Sequence, residues 1–504
     1  MPSGSKQPLH DDQCVRARRD ASRTAMRHRH RRLASSLSIL MTCALFAVGC
    51  GRDTTIAATA PREQLAFGSA NAVGTAGPSA VCGQPNGTVV THSVNVSANE
   101  TWAGAGVTHR IPNSISLTGT AVVTIQPCAI VALAPGVSIT VRDFAKLLTT
   151  GTSQTNFVVF RRDNPNQAWG TLRGYHPTSM IDLNWTLLTG GGAFGGLSNP
   201  TIAIVGNGYS SPVARVLRVN GVRIDLSQGV GIYLDANAAL TTDSKLLEIK
   251  RSGSRPVETT MMGLGSLPPG NYVTNAIDEI LIHGPSANVF ADMTVKDTGV
   301  PVRIPYSTMY VGPISPSTTP VTLTLKPGVV FLYPRIGGQP GARVTFGTNG
   351  SPTSNVIGIL NAVGTAAKRI VFTSGEAAPA PGDWVGIWLN TANGSRLDYV
   401  DITYAGAASG IVSNNCRPNT TLDRAALLVG DFSDQYIPPS NLITNSRIEQ
   451  SAYFGINAMW LTSTFNTPNL TVRNTIQTNA LGRQTYNGVL PPGTCPPNGG
   501  YTVP

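Results

Sequence analysis

The chain has 504 residues, of which only 12% are charged, about half the usual share, while Gly (53) and Pro (36) are abundant. Its formal charge of +11 is uneven: residues 1–49 hold +6 of it, so the rest carries only about +5. That balance leaves no clustered Lys/Arg footprint for a nucleic acid, and no long stretch has the 3.6-residue apolar period of an amphipathic helix. Many short strands broken by turns remain, an all-β chain.

In chain order, the first element is a leader. Met1–Arg32 is rich in Arg and His and runs into "LASSLSILMTCALFAV", an uncharged stretch of 16 residues. That is short of the roughly 20 apolar residues a membrane-spanning helix needs, and it suits the apolar region of a signal peptide. The stretch ends in "AVGC", Ala47–Cys50, which resembles the bacterial lipobox, with Ala47 where Leu is usual. The resemblance implies removal of 1–49, lipidation of Cys50, and an exported protein anchored at the outer membrane or cell surface. An ordinary cleaved signal with Cys50 incidental is the alternative, and either Met1 or Met26 serves as the start. Residues 50–94 are small, polar and aperiodic, and read as a flexible tether.

Of 7 cysteines, Cys14 and Cys43 leave with the leader and Cys50 goes to the lipid. The remainder, Cys82, Cys128, Cys416 and Cys495, is an even set that fits two disulfides in an exported chain, with three pairings open. The loop-like contexts "SNNCRPN" and "PGTCPPNGG" favour Cys416–Cys495, leaving Cys82–Cys128. Free buried thiols are the alternative, because Cys128 borders an apolar run.

Beyond the tether the chain repeats itself. "TWAGAGVTHRIP" (Thr101–Pro112) matches "TVKDTGVPVRIP" (Thr294–Pro305), and Val122–Gly136 matches Val321–Arg335. Leu147–Phe160 then matches Ile359–Phe372, Trp169 matches Trp384, Leu183–Gly192 matches Leu397–Ala407, and Leu217–Leu234 matches Leu442–Met459. Blocks in one order define a unit of about 200 residues present twice, at 95–285 and at 286–504, the second closed by a C-terminal cap. A shorter beat, "GIWL" at Gly386, "GIVS" at Gly410 and "GINA" at Gly455, opens short apolar strands. Such periods mark solenoids, in which each coil covers the next.

"VTLTLKPGVVF", "GTAAKRIVFTS", "PGDWVGIWL" and "SRLDYVDITYAGAASGIV" resemble the right-handed, single-stranded parallel β-helix of pectate-lyase-like architecture, in the form found on bacterial surface and secreted proteins. The resemblance implies a β-solenoid but no single activity, since that scaffold carries lyases, hydrolases and adhesins alike.

Chemistry is sparse in the sequence. The four His after the leader, His92, His109, His176 and His283, have no ligand spacing, and no Cys pair has metal spacing. "EIKRSG" (Glu248–Gly253) approaches a polygalacturonase-like site but lacks partners. Asp383, Asp398 and Asp401, beside Arg396, are the best carboxylate group. Stacked on one face they could bind calcium or work as acid and base. Strand alternation instead sends Asp398 and Asp401 to opposite sides, as a solvated strand face. Arg110 and Arg303 recur in matched places and read as structural salt bridges. Trp169 with Trp384, and Trp185 with Tyr399, read as core stacks, leaving Trp388 as the sugar-contact candidate.

The expectation is a lipid-anchored envelope protein presenting a rigid solenoid for binding, adhesion or scaffolding, with no cofactor beyond a calcium option. Its partners would be the membrane and a polysaccharide or another envelope protein. The alternative is a polysaccharide lyase or glycoside hydrolase.

Overall fold

A computed structural model describes residues 82–175, 178–193, 195, 198–209, 212–314, 319–347, 357–390, 394–410, 424–430, 439–458, 468–477, 479, 482–486 and 502–503. Cys50, His176, Cys416 and Cys495 lie outside them, as does most of the "GIVS" beat.

Short strands form because apolar and polar residues alternate. In Val321–Leu325 ("VTLTL"), Val321, Leu323 and Leu325 are buried while Thr322 and Thr324 are half-buried, the period-2 pattern of a strand with one covered face. One such strand is too short to form a core alone, so each lies parallel on the corresponding strand of the next coil. Among the described strands every pairing is parallel except the last, Gly482–Tyr486 with Thr502–Val503. The result is a parallel β-helix, not closed into a barrel.

Each coil has three sides. In the first copy, side one stacks Glu100–Trp102, Val122–Ile125 and Lys146–Thr149. Side two stacks Thr108–Ile111, Ile130–Leu133 and Val158–Arg162. The two sides merge where Met180–Thr189 and Ala214–Asp225 run across both. Side three runs from Ile115–Leu117 through Ile232–Asp235 and Val257–Thr259 to Ile280–Ile282. The core is one continuous column, with Phe331 against Phe372 at 5.7 Å and Tyr333 stacked on Trp384 at 4.5 Å. Phe331 is fully buried, and its truncation to Ala would cost about 3–5 kcal/mol.

The duplication is visible atom by atom. Trp169 and Trp384 are both fully buried, and each indole N–H donates at 2.8 Å to a matched carbonyl, Thr189 or Thr403. Trp185 and Tyr399 both take left-handed backbone (φ 40 and 52), as do Leu226 and Gln450 (φ 56 and 57). Beneath them lie Gly151 and Gly364. A Cβ there would meet the carbonyl oxygen of Trp185 at 2.5 Å or of Tyr399 at 2.7 Å, so only glycine fits the corner. These pairs correct two of the sequence blocks by one residue, since Gly151 stands opposite Gly364 and Val219 opposite Ile443.

The two copies are nevertheless out of phase. Val302–Arg303 matches the Thr108–Ile111 region in sequence, which is on side two, yet it pairs with Ile280–Ile282 of side three. One 13-stranded sheet therefore crosses the boundary and continues through Val330–Tyr333 and Ile370–Ser374 to Thr475–Gln477. The second copy is turned by one side, because Val289 bridges to Val311 and takes a side of its own before the copy begins. Nearby, the short helix Met261–Leu264 stands where a side-one strand would be, packed on Ala238–Leu240 and capped by the Thr260 hydroxyl accepting from the Gly263 N–H. The beat at Gly386 and Gly455 also changes. Their strands both pair with Ala425–Val429, which lies between them in the stack.

Candidate functional site

The residues singled out in sequence are dispersed and closed. Asp383, Asp398 and Asp401 are 2%, 8% and 7% exposed, so they are no solvated strand face. Asp383 accepts from the Ser374 hydroxyl at 2.6 Å and the Ala380 N–H at 2.8 Å. Asp398 accepts from Thr444, Asn445 and Arg396 at 2.8–3.0 Å. Burial alone would raise its pKa, but those hydrogen bonds and the Arg396 charge hold it below the usual carboxylate range. Asp401 is clamped between Arg369 (2.6 Å) and Arg447 (Nε at 2.9 Å) on the neighbouring rungs. The left-handed Tyr399 puts Asp398 and Asp401 in different sheets, so they form no pair for calcium or for acid and base. Trp388 is fully buried and donates to the Gly430 carbonyl at 3.0 Å, leaving no ring face for a sugar.

Other expectations find their places. Cys82 and Cys128 form a disulfide, with Cα atoms 4.4 Å apart. Arg110 pairs with Asp163 at 2.9 Å, and Arg303 with Glu279 at 2.8 Å. "EIKRSG" acquires the partners the sequence could not supply. Arg223 and Asp225 come from the preceding rung and Asn271 from the next, with Asn271 donating to Glu248 at 3.2 Å. Arg251 closes on Asp225 with two bonds and Arg223 with one. Although burial pushes the Asp225 carboxyl up, these arginines hold it below its ordinary value.

One cluster was not legible in the sequence. It lies where side three turns toward side one, beside the junction of the copies. His283 stacks on Tyr233 at 4.4 Å, and its Nε2 lies 2.9 Å from the Leu234 carbonyl. That carbonyl can only accept, so Nε2 carries the proton and the neutral ring turns an Nδ1 lone pair toward the Tyr233 hydroxyl at 3.5 Å. Asp235 lies 3.9 Å from Nδ1 and accepts from the Tyr209 hydroxyl and the Ala236 N–H. Burial keeps His283 below the usual imidazole pKa in spite of Asp235, and it pushes Tyr209, helped by its bond to Asp235, up to about 12. Tyr306 reaches the Gly284 carbonyl at 2.5 Å. The group holds a neutral base, a carboxylate with no arginine or lysine paired to it among the described residues, and tyrosine hydroxyls that remain protonated at neutral pH.

Beside it, Arg215, Asn237, Met262, Phe290, Asp292, Met293 and Ile314 line an open cleft of about 480 Å³. Asn237 joins the two features, donating at 2.8 Å to the Tyr209 carbonyl. Among the described residues no three His, Cys, Asp or Glu side chains gather as metal ligands. Comparison with known proteins finds no match among family models, curated proteins or solved structures.

Proposed function

We propose that this is an exported, lipid-anchored envelope protein that presents a rigid β-solenoid for binding, adhesion or scaffolding, of the pectate-lyase-like surface type that its strand motifs resemble. The supporting observation is the 13-stranded sheet that passes through both copies, which makes the described body a stiff rod fit to hold a binding face. The carboxylates that a hydrolase or lyase would draw on, Asp225, Asp383, Asp398 and Asp401, are buried and closed by arginine, serine or asparagine. The lipid on Cys50 would hold the rod to a membrane, and its partners would be a polysaccharide or another envelope protein.

The second reading, a polysaccharide lyase or glycoside hydrolase, draws on the His283 lone pair beside Tyr233 and Asp235. One assay separates them. The purified full chain, given pectin, alginate or glycosaminoglycan with and without calcium, should release neither unsaturated products nor new reducing ends. Release that disappears in His283→Ala would replace the first reading by the second.

A further inference from the structure

We propose that the cleft at the junction of the two copies binds an uncharged glycan chain, with Tyr209, which lies outside the lining but is tied to it through Asn237, as the ring that meets a sugar beyond its edge. This rests on the binding reading above and names its ligand class.

The cleft has the size range of a ligand site and an apolar floor, Met262, Phe290, Met293 and Ile314. Its polar lining joins planar groups, the Asn237 amide, the Arg215 guanidinium and the Asp292 carboxylate, to the hydroxyls of Ser266 and Thr294. Pyranose rings ask for that combination. Their C–H faces lie on apolar and aromatic surface, while adjacent hydroxyls bridge planar amide, carboxylate and guanidinium groups. The two charged lining residues cancel, so nothing favours a polyuronate or a polyamine.

The neighbouring cluster points the same way. Tyr209 and Tyr306 spend their protons on Asp235 and Gly284, so what each oxygen has left to offer a ligand is a lone pair. A ligand rich in hydroxyl donors matches lone pairs, and an anion does not. Tyr209 is held at both ends, its hydroxyl by Asp235 and its carbonyl by Asn237, yet the residue is 36% exposed. A fixed, half-exposed aromatic binds without a large ordering cost. The cleft lies where the copies fall out of phase, lined by residues of both.

The test is calorimetric titration of the purified full chain with cellohexaose, maltohexaose, mannohexaose and chitohexaose, and with tetragalacturonate as the anionic control. At least one neutral hexasaccharide should bind, and more tightly than tetragalacturonate. Tyr209→Ala should weaken that binding about tenfold, while Tyr209→Phe, which keeps the ring, should stay within about threefold. Ile314→Glu, at a side chain already 63% exposed, leaves folding alone and should weaken binding by charging the floor. Failure of all four neutral sugars, preference for tetragalacturonate, or unchanged binding in both Tyr209→Ala and Ile314→Glu overturns the proposal. If none binds while the chain still lacks lyase and hydrolase activity, the ligand class is wrong and the display reading stands.

Discussion

The Nε2 of His92 lies 2.9 Å from the Nδ1 of His109, on neighbouring rungs at the N-terminal end of the described solenoid. Because His109 Nε2 is engaged by the Ala103 carbonyl at 2.9 Å, its proton sits there, and its Nδ1 can only accept from His92. His92 can take a second proton on Nδ1, which faces Glu100 at 3.6 Å. The two rings cannot both be protonated without breaking the pair, because both bridging nitrogens would then carry a proton. Trp102 stacks on both rings and donates to Glu100 at 2.8 Å.

Acid should therefore loosen this end first. Burial is the largest influence on both imidazoles and lowers both, against Glu100, which raises them. In the unfolded chain each titrates near about 6.5, so the unfolded state binds more protons below that pH. Their contribution is complete above about pH 6.5 and falls away below it, down to the lowered folded values. Hydrogen exchange of Val89–Thr91 and Thr108–Ile111 should quicken between pH 7.5 and pH 5 beyond the chemical pH effect. In His109→Gln that excess should shrink, and an excess of unchanged size refutes the coupling.

Asp401 makes a different test, because it is buried between two arginines rather than solvated. Asp401→Asn leaves Arg369 and Arg447 facing each other without an anion. A buried pair broken on one side costs about 3–5 kcal/mol, discounted here because Arg447 is 45% exposed. A loss of about 1–3 kcal/mol in urea unfolding is expected, with a smaller loss for Asp401→Glu. A loss below about 0.5 kcal/mol would mean that the clamp contributes nothing.

These two cases show what the sequence could and could not say. The coil was legible because "VTLTL" and Trp169/Trp384 carry it in local alternation and in repetition. The burial of Asp401 was not, since alternation tells which side a residue faces but not which arginine the next rung lays over it. The phase slip was invisible for a related reason. Stacking depends on how many strands complete a turn, and no local pattern around Val302 records that number. The Tyr209, Tyr233, Asp235, His283 and Tyr306 cluster assembles from separate rungs, and without the coil length nothing in the letters brings His283 to Tyr233. The His92–His109 pair, 17 residues apart, hides in the same way.

The anchor can be checked apart from the fold. Since "AVGC" closes an uncharged run of signal length, labelled palmitate fed to producing cells should enter the wild-type chain and not Cys50→Ala. Equal label in both would remove the lipid from the proposed function.

The strongest test of the solenoid is to cut it near Pro285, between the copies. Two separate domains would tolerate the cut. Here the cut falls between Ile280–Ile282 and Val302–Arg303, which pair across the boundary, and the bridge from Val289 to Val311 lies just beyond it. The first fragment would end on an uncovered Ile280–Ile282 edge. The second would begin with Val302–Arg303 unpaired on one side and with Val302 and Ile304 uncovered, both buried in the intact chain. Exposed parallel edges above apolar coil faces are templates for aggregation, and each lost neighbour removes an interface that holds the adjoining coil. The fragment 286–504, with stacked Phe331, Phe372, Tyr333 and Trp384, should keep β structure by circular dichroism. The fragment 51–285 should be the less stable piece. Both should melt below the intact chain, and mixing them should recover part of the difference through the Ile280–Val302 rung. Two fragments that melt independently at the temperatures of the intact chain would show that the shared sheet carries no cooperativity, and the single-rod account would fall.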